Sequence, residues 1–227
     1  MEYPAAIELA IWLNQYRVGA ISVTDAINAC ETISNVTEVH NASEPVSWSK
    51  LIRNMPFSAV PYYAILPTPG NTFGLDASVH QSFDLTEGVC VLSQHVVLGQ
   101  VNEQTPTWKI TRIDKPLVVP DPRIARAQLN ALIETAAAQL SAIDVTGDRE
   151  EIDQGLHQLK PIHLPPALPN RAKVDLELAQ RIWLIAQFGI SDSQVHASPS
   201  ADEVRVQTLQ QLRTAALELM AASTAVA

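Results

Sequence analysis

Asp76, His80, Asp84 and Glu87 crowd into one short polar stretch, with His95 a little further along. Carboxylates beside imidazoles are the groups that move protons near neutral pH. A hydrolase built on His80 or His95 with Asp76 or Glu87 is therefore one functional reading. Cys90 and His95 also suggest a thiol nucleophile and its base. Against that, Cys90 sits among Val89, Val91 and Leu92, where a cysteine reads as a small core hydrophobe. Among His40, His80, His95, His157, His163 and His196, no two share one helical turn with a glutamate between them, as a helical zinc site requires. Gly70-Asn71-Thr72-Phe73-Gly74 lacks the lysine and hydroxyl of a phosphate loop, and no Gly-x-Ser-x-Gly elbow occurs. Neither a metal nor a cofactor is expected.

These residues have to be held by what surrounds them, which is the one long stretch that reads as strand. Val60–Leu66, Gly88–Val101 and Thr107–Ile113 are rich in β-branched and aromatic residues, suited to a half-buried pleated surface. Gly88–Val101 is too long for one strand, and Ser93-Gln94-His95 breaks it into a hairpin. Asn102–Pro106 is the next turn. Connections this short join antiparallel neighbours, so a meander is expected. Trp108 and Ile110 share one face of the third run.

Between the first two runs lies Leu66-Pro67-Thr68-Pro69-Gly70-Asn71-Thr72-Phe73-Gly74-Leu75. Pro69 presets φ and Gly70 can take the positive φ of a type II turn. This Leu-Pro-x-Pro-Gly-x-x-x-Gly-Leu pattern resembles one in a family of uncharacterised bacterial proteins from high-GC Gram-positive bacteria. The resemblance is confined to the neighbourhood of this stretch and implies no activity. Stiffened by its prolines, the 66–75 loop is expected to be ordered, to border the best pocket, and to meet a protein or small-molecule partner. Pro69, Gly70, Asn71 and Trp108 are its expected ligand-binding residues.

At 227 residues the chain has room for a sizeable core. Its formal charge of −9 is shared between the parts before and after Lys115, and neither is basic. That argues against nucleic acid and anionic membrane surfaces. No apolar run approaches the length needed to span a bilayer, and Met1-Glu2-Tyr3-Pro4 lacks the basic start of a secretory signal. Two cysteines are too few for a disulfide scaffold. A soluble cytoplasmic protein is expected.

Helices flank the strands. Pro4 opens a first helix, apolar nearly all round through Ile7, Leu9, Ile11, Trp12 and Leu13, and Gly19 ends it. Ser22 or Thr24 caps a second, carrying Ala26, Ile27, Cys30 and Ile33. Its Asp25 and Glu31, without lysine or arginine, do not suit a DNA groove. Ser34–Ser47 reads as polar loop and Trp48–Met55 as a short helix. Asp121-Pro122 starts the clearest helix, with Ala125, Leu129, Leu132, Ala136, Leu140 and Ile143 on one stripe. Asp148 is a cap candidate for another, reaching about Leu159. Lys160–Pro169 holds four prolines and reads as an extended strap packed over the surface. A helix over Val174–Phe188 stops at Gly189, and a capping box at Ser200-Ala201-Asp202-Glu203 opens the last.

The expected fold class is α+β: a small antiparallel sheet in the middle of the chain packed against N- and C-terminal helices. Residues 1–120 would form the hairpin and meander, and 121–227 a helical region including the 160–169 strap. The preferred function is a non-catalytic binding or protein-interaction role; the alternative is the hydrolase above. From Ala215 to Ala227 only Glu218 is charged, and Leu217 and Leu219 point about 160° apart on a helix. A homodimer through this last helix is expected on that ground.

Overall fold

A computed structural model of the chain describes residues 4–41, 44–55, 60–68, 71–101, 107–142, 163–191 and 199–226. The fold is α+β. In order, the described elements are α1 (Ala5–Arg17), α2 (Val23–Ser34), β1 (Glu38–Asn41), β2 (Glu44–Ser47), α3 (Trp48–Asn54), β3 (Tyr63–Ile65), α4 (Ala77–Ser82), β4 (Val89–Ser93), β5 (Val96–Val101), β6 (Thr107–Arg112), α5 (Pro122–Ala142), α6 (Asn170–Ser191) and α7 (Pro199–Thr224). They fall into two compact units. A sheet unit takes the described parts of Tyr3–Pro120, Ile162–Ala172 and Ala221–Ala227; a helical unit takes those of Asp121–Pro161 and Lys173–Met220.

The expected meander is there: β3, β4, β5 and β6 pair antiparallel in sequence, with the break at Gln94-His95. The sheet is larger than expected. Ser34–Ser47, read as loop, contains β1 and β2, which pair antiparallel, and β1 joins β6 in parallel. The order is β2-β1-β6-β5-β4-β3, so the sheet is mixed, not wholly antiparallel. The two added strands are short and largely exposed, and β2 tolerates Pro45 because it lies at the edge.

One face of the sheet unit packs Tyr63, Ile65, Val89, Val91 and Val97 with Leu75, Val79, Phe83, Ile113 and Leu117. Gly99 is required here, because a Cβ on it would meet the Phe83 ring at 2.9 Å. Helix α1 is buried from Ala6 to Gln15 apart from Glu8, as its all-round apolar pattern dictates. Its Asn14, 0% exposed, is an internal connector. The amide nitrogen donates to Tyr62 O and to Thr224 O (2.7 Å), and Oδ1 accepts from Tyr62 N (2.9 Å). Thr224 Oγ1 accepts from Ala64 N at 2.8 Å, so the end of α7 covers part of the edge strand β3.

In the helical unit, Asp121 Oδ1 accepts from Arg123 N (2.8 Å) at the start of α5. Arg126 pairs with Asp175, and Thr208 Oγ1 with Gln139 (3.0 Å). Gly189 does not stop its helix; α6 runs on to Ser191, and the glycine instead admits the Leu209 side chain, 2.8 Å from where a Cβ would stand. Helix α7 begins at Pro199, ahead of the Ser200 expected to cap it. The expected Asn102–Pro106 turn and the Asp148–Leu159 helix lie outside the described residues. Leu217 is 6% and Leu219 0% exposed. Neither of the two faces water.

Candidate functional site

Each polar residue of the expected catalytic stretch that the structure describes ties down a piece of backbone. Asp76 Oδ2 accepts from Asp114 N at 3.0 Å. Asp84 Oδ1 accepts from Thr86 N (3.0 Å) and Thr86 Oγ1 (2.6 Å). Glu87 is a remote cap for α1: Pro4 gives that helix no side-chain cap, and Glu87 Oε2 accepts from Ala5 N (3.0 Å) while its carbonyl accepts from Ala6 N (3.1 Å). A carboxylate at a helix N-terminus also meets the positive end of the helix dipole. His95 is exposed in the β4–β5 turn, with Nδ1 3.2 Å from Ile113 O. The side chain of His80 lies outside the described residues. Cys90 is buried, and burial pushes its thiol well above the usual range. Cys30 is buried likewise, its thiol raised by burial first and by Cys90 second. Neither is a ready thiolate nucleophile. Among the described residues no cluster of three or more metal-ligating side chains occurs.

The expected ligand loop closes on itself. Thr68 N donates to Asn71 O (3.0 Å) and Asn71 N to Thr68 O (2.9 Å), so the two ends of the turn are pinned. Asn71 Oδ1 accepts from Phe73 N at 3.1 Å. Pro69 and Gly70 lie outside the described residues; the positive φ values seen in the loop are at Phe73 (52°) and Gly74 (83°). Trp108 is 1% exposed and belongs to the core. The cavities described in the sheet unit are lined by other residues.

The roomiest of the described cavities is a groove of about 900 Å³ between the α1–α2 hairpin and the strap. Three local features build it. Gly19, at φ 74°, turns the chain between the helices with open space beside it. Ser22 and Asp25 then form a reciprocal capping box: Asp25 N donates to Ser22 Oγ (3.1 Å), and Ser22 N and Oγ donate to Asp25 Oδ2 (3.3 and 2.7 Å). With α2 started there, Asp25, Asn28, Ala29 and Thr32 fall on one stripe at helical spacing and line one wall. The opposite wall is strap: His163, Leu164, Pro166 and Ala167. Trp12 Nε1 donates to His163 O at 2.7 Å, and the two rings lie 5.1 Å apart at 34°. Pro165 and Leu168 are buried, and Leu168 N donates to Pro165 O (3.2 Å), so the expected extended strap contains a turn. Lys160–Ile162 lie outside the described residues.

Sequence reasoning found both walls but not the groove. The Trp12–His163 contact joins residues far apart in the chain, and nothing local announces it.

Comparison with known proteins adds one likeness. Comparison with curated proteins gave no match, and comparison with solved structures gave none. Residues 123–218 match the family model described as Rv1486c-like protein, C-terminal domain. That is less than half of the chain; it covers nearly all of α5, all of α6 and most of α7, includes the strap residues His163–Ala167 on one wall of the groove, and reaches neither the α1–α2 hairpin nor the Leu66–Leu75 pattern.

Proposed function

We propose that the chain is a non-catalytic binding protein whose groove between the α1–α2 hairpin and the strap takes an extended segment of a partner polypeptide. The observation that carries this reading is the pairing of walls. Exposed Asp25, Asn28 and Thr32 offer donors and acceptors at helical spacing, and the proline-bearing strap faces them across a cavity roomy enough for several side chains. An extended peptide has both main-chain donors and acceptors for such a stripe, and Pro166 and Trp12 supply apolar surface for its side chains. The strap's prolines, with a turn closed by Leu168 N donating to Pro165 O (3.2 Å), stiffen it before a ligand arrives, which lowers the ordering cost of binding. The hydrolase reading stands behind this one, because Asp76, Asp84 and Glu87 each accept from a backbone N–H, Asp84 locally from Thr86 and the other two from distant segments.

The test is selection of random linear peptides displayed on phage against the intact chain, followed by fluorescence anisotropy of an enriched peptide. Asn28→Ala with Thr32→Ala should weaken binding about tenfold or more, and Ala167→Trp, which fills the groove, should abolish it. Enrichment of no peptide, or of peptides indifferent to both variants, would overturn the proposal.

A further inference from the structure

A second cavity of the sheet unit, about 540 Å³, lies between the sheet and α3. Leu51 and Met55 of α3, Leu92 of β4, Val96 of β5 and Ile110 of β6 give it an apolar lining. The pairing of the strands explains how these residues meet. Val96 pairs with Arg112 and Leu98 with Ile110, so Val96, Ile110 and Arg112 share one face of the sheet. Lys109 and Thr111 alternate with them along β6 and also contribute to the lining. A bulge between Val91 and Ser93 sets Leu92 and Ser93 together opposite Val96 and turns both toward the cavity. Arg112 lies on the same face as Val96 and Ile110, Lys109 is the second cation of the lining, and Asn41 and Asn54 add polar residues to it. No residue lining it is acidic, although the chain carries a net charge of −9. Among the described residues Arg112 makes no ion pair.

We propose that this cavity binds a small carboxylate with an apolar body. An arginine fork pairs two parallel N–H donors with the two oxygens of a carboxylate. The bulge, α3 and Ile110 cover the hydrocarbon part. Such a ligand is attracted to Arg112, whereas a cation of the same shape meets the guanidinium as a like charge. The net negative charge of the chain likewise disfavours a second copy of it as the occupant. This site is separate from the peptide groove and does not depend on it.

Octanoate, octanol and octylamine share a tail and differ in the head, so titrating each into the ¹⁵N-labelled chain separates charge from greasiness. Octanoate should shift the amides of Leu92–Val96 and Lys109–Arg112, with octanol at least about tenfold weaker and octylamine weaker still. Arg112→Gln should bring octanoate down to octanol, and Ile110→Glu should remove binding of both. Equal binding of the three probes, shifts confined to other residues, no octanoate binding at millimolar concentration, or an Arg112→Gln variant that binds octanoate unchanged would each overturn the proposal.

Discussion

Helices α1 and α5 are both legible from apolar spacing, yet they are buried in opposite ways. In α1 every residue from Ala6 to Gln15 except Glu8 is buried, including the polar Asn14 and Gln15. Across the 21 residues of α5, Ala125, Leu129 and Ala136 are buried. The difference follows from pattern. A helix apolar all round is covered on all sides, and any polar group on it must find partners inside. A helix with one stripe leaves its polar face in water. The sheet unit is thus held by internal polar ties as well as by packing, and the helical unit by stripes, by Arg126–Asp175 and by the contact of Thr208 with Gln139. Substitutions of the same kind should therefore cost more in the first than in the second.

The largest effect should come from Asn14. Asn14→Leu removes the partners of Tyr62 N, Tyr62 O and Thr224 O at a buried position. A loss of about 3–5 kcal/mol is expected, because each orphaned buried group costs about 1–3 kcal/mol. Urea unfolding measures it; a loss under about 1 kcal/mol would break the comparison. Next comes Glu87→Ala, which strips α1 of its remote cap. About 1–2 kcal/mol should go, and restoring a local cap with Pro4→Asp should return part of it. An effect of Glu87 on a chemical activity with stability unchanged would instead revive the hydrolase reading.

Two glycines sharpen the contrast. Gly99→Ala drives a Cβ into the Phe83 ring, with three ring carbons within 3.2 Å, and should cost about 1–3 kcal/mol. Gly189→Ala meets the tip of one flexible leucine inside a helix. There the gain in helix propensity, about 1 kcal/mol, offsets the crowding, and the melting temperature should stay level or rise. The smallest effect belongs to Tyr63, whose hydroxyl is buried without a partner among the described residues. Tyr63→Phe should be neutral or stabilising by up to about 1 kcal/mol. Burial pushes the Tyr62 and Tyr63 phenols up to about 12. The raised folded value means that their contribution is present below pH 10 and is lost between about pH 10 and 12. Tyr63→Phe should shrink that alkaline loss, read as melting temperature against pH.

What the sequence disclosed, and what it hid, follows the same line. Val89–Val101 announced two strands because their apolar side chains alternate or run together and a polar turn divides them. Glu38–Asn41 and Glu44–Ser47 announced nothing: their exposed faces carry Glu38, Glu44 and Pro45, and pairing with β6 comes from contacts far along the chain. Gly189 read as a stop because glycine ends helices; here its missing Cβ serves packing against Leu209. Asp76 and Glu87 read as chemistry because carboxylates do chemistry, but they also accept from backbone N–H groups, and that use is invisible without the fold. The groove was half legible. Ser22 as one of two candidate caps and the proline run at 160–169 were both plain, while the meeting of the hairpin and the strap over Trp12 depends on tertiary structure.

The central claim is that the hairpin–strap groove is where the chain meets its partner. The most direct measurement is an amide chemical-shift map of the ¹⁵N-labelled chain with a display-selected peptide. The account predicts shifts concentrated in Gly19–Thr32 and His163–Ala167, with the Trp12 indole N–H moving as well. Shifts concentrated instead around Asn71–Glu87, or along α5–α7, with the hairpin unmoved, would contradict it.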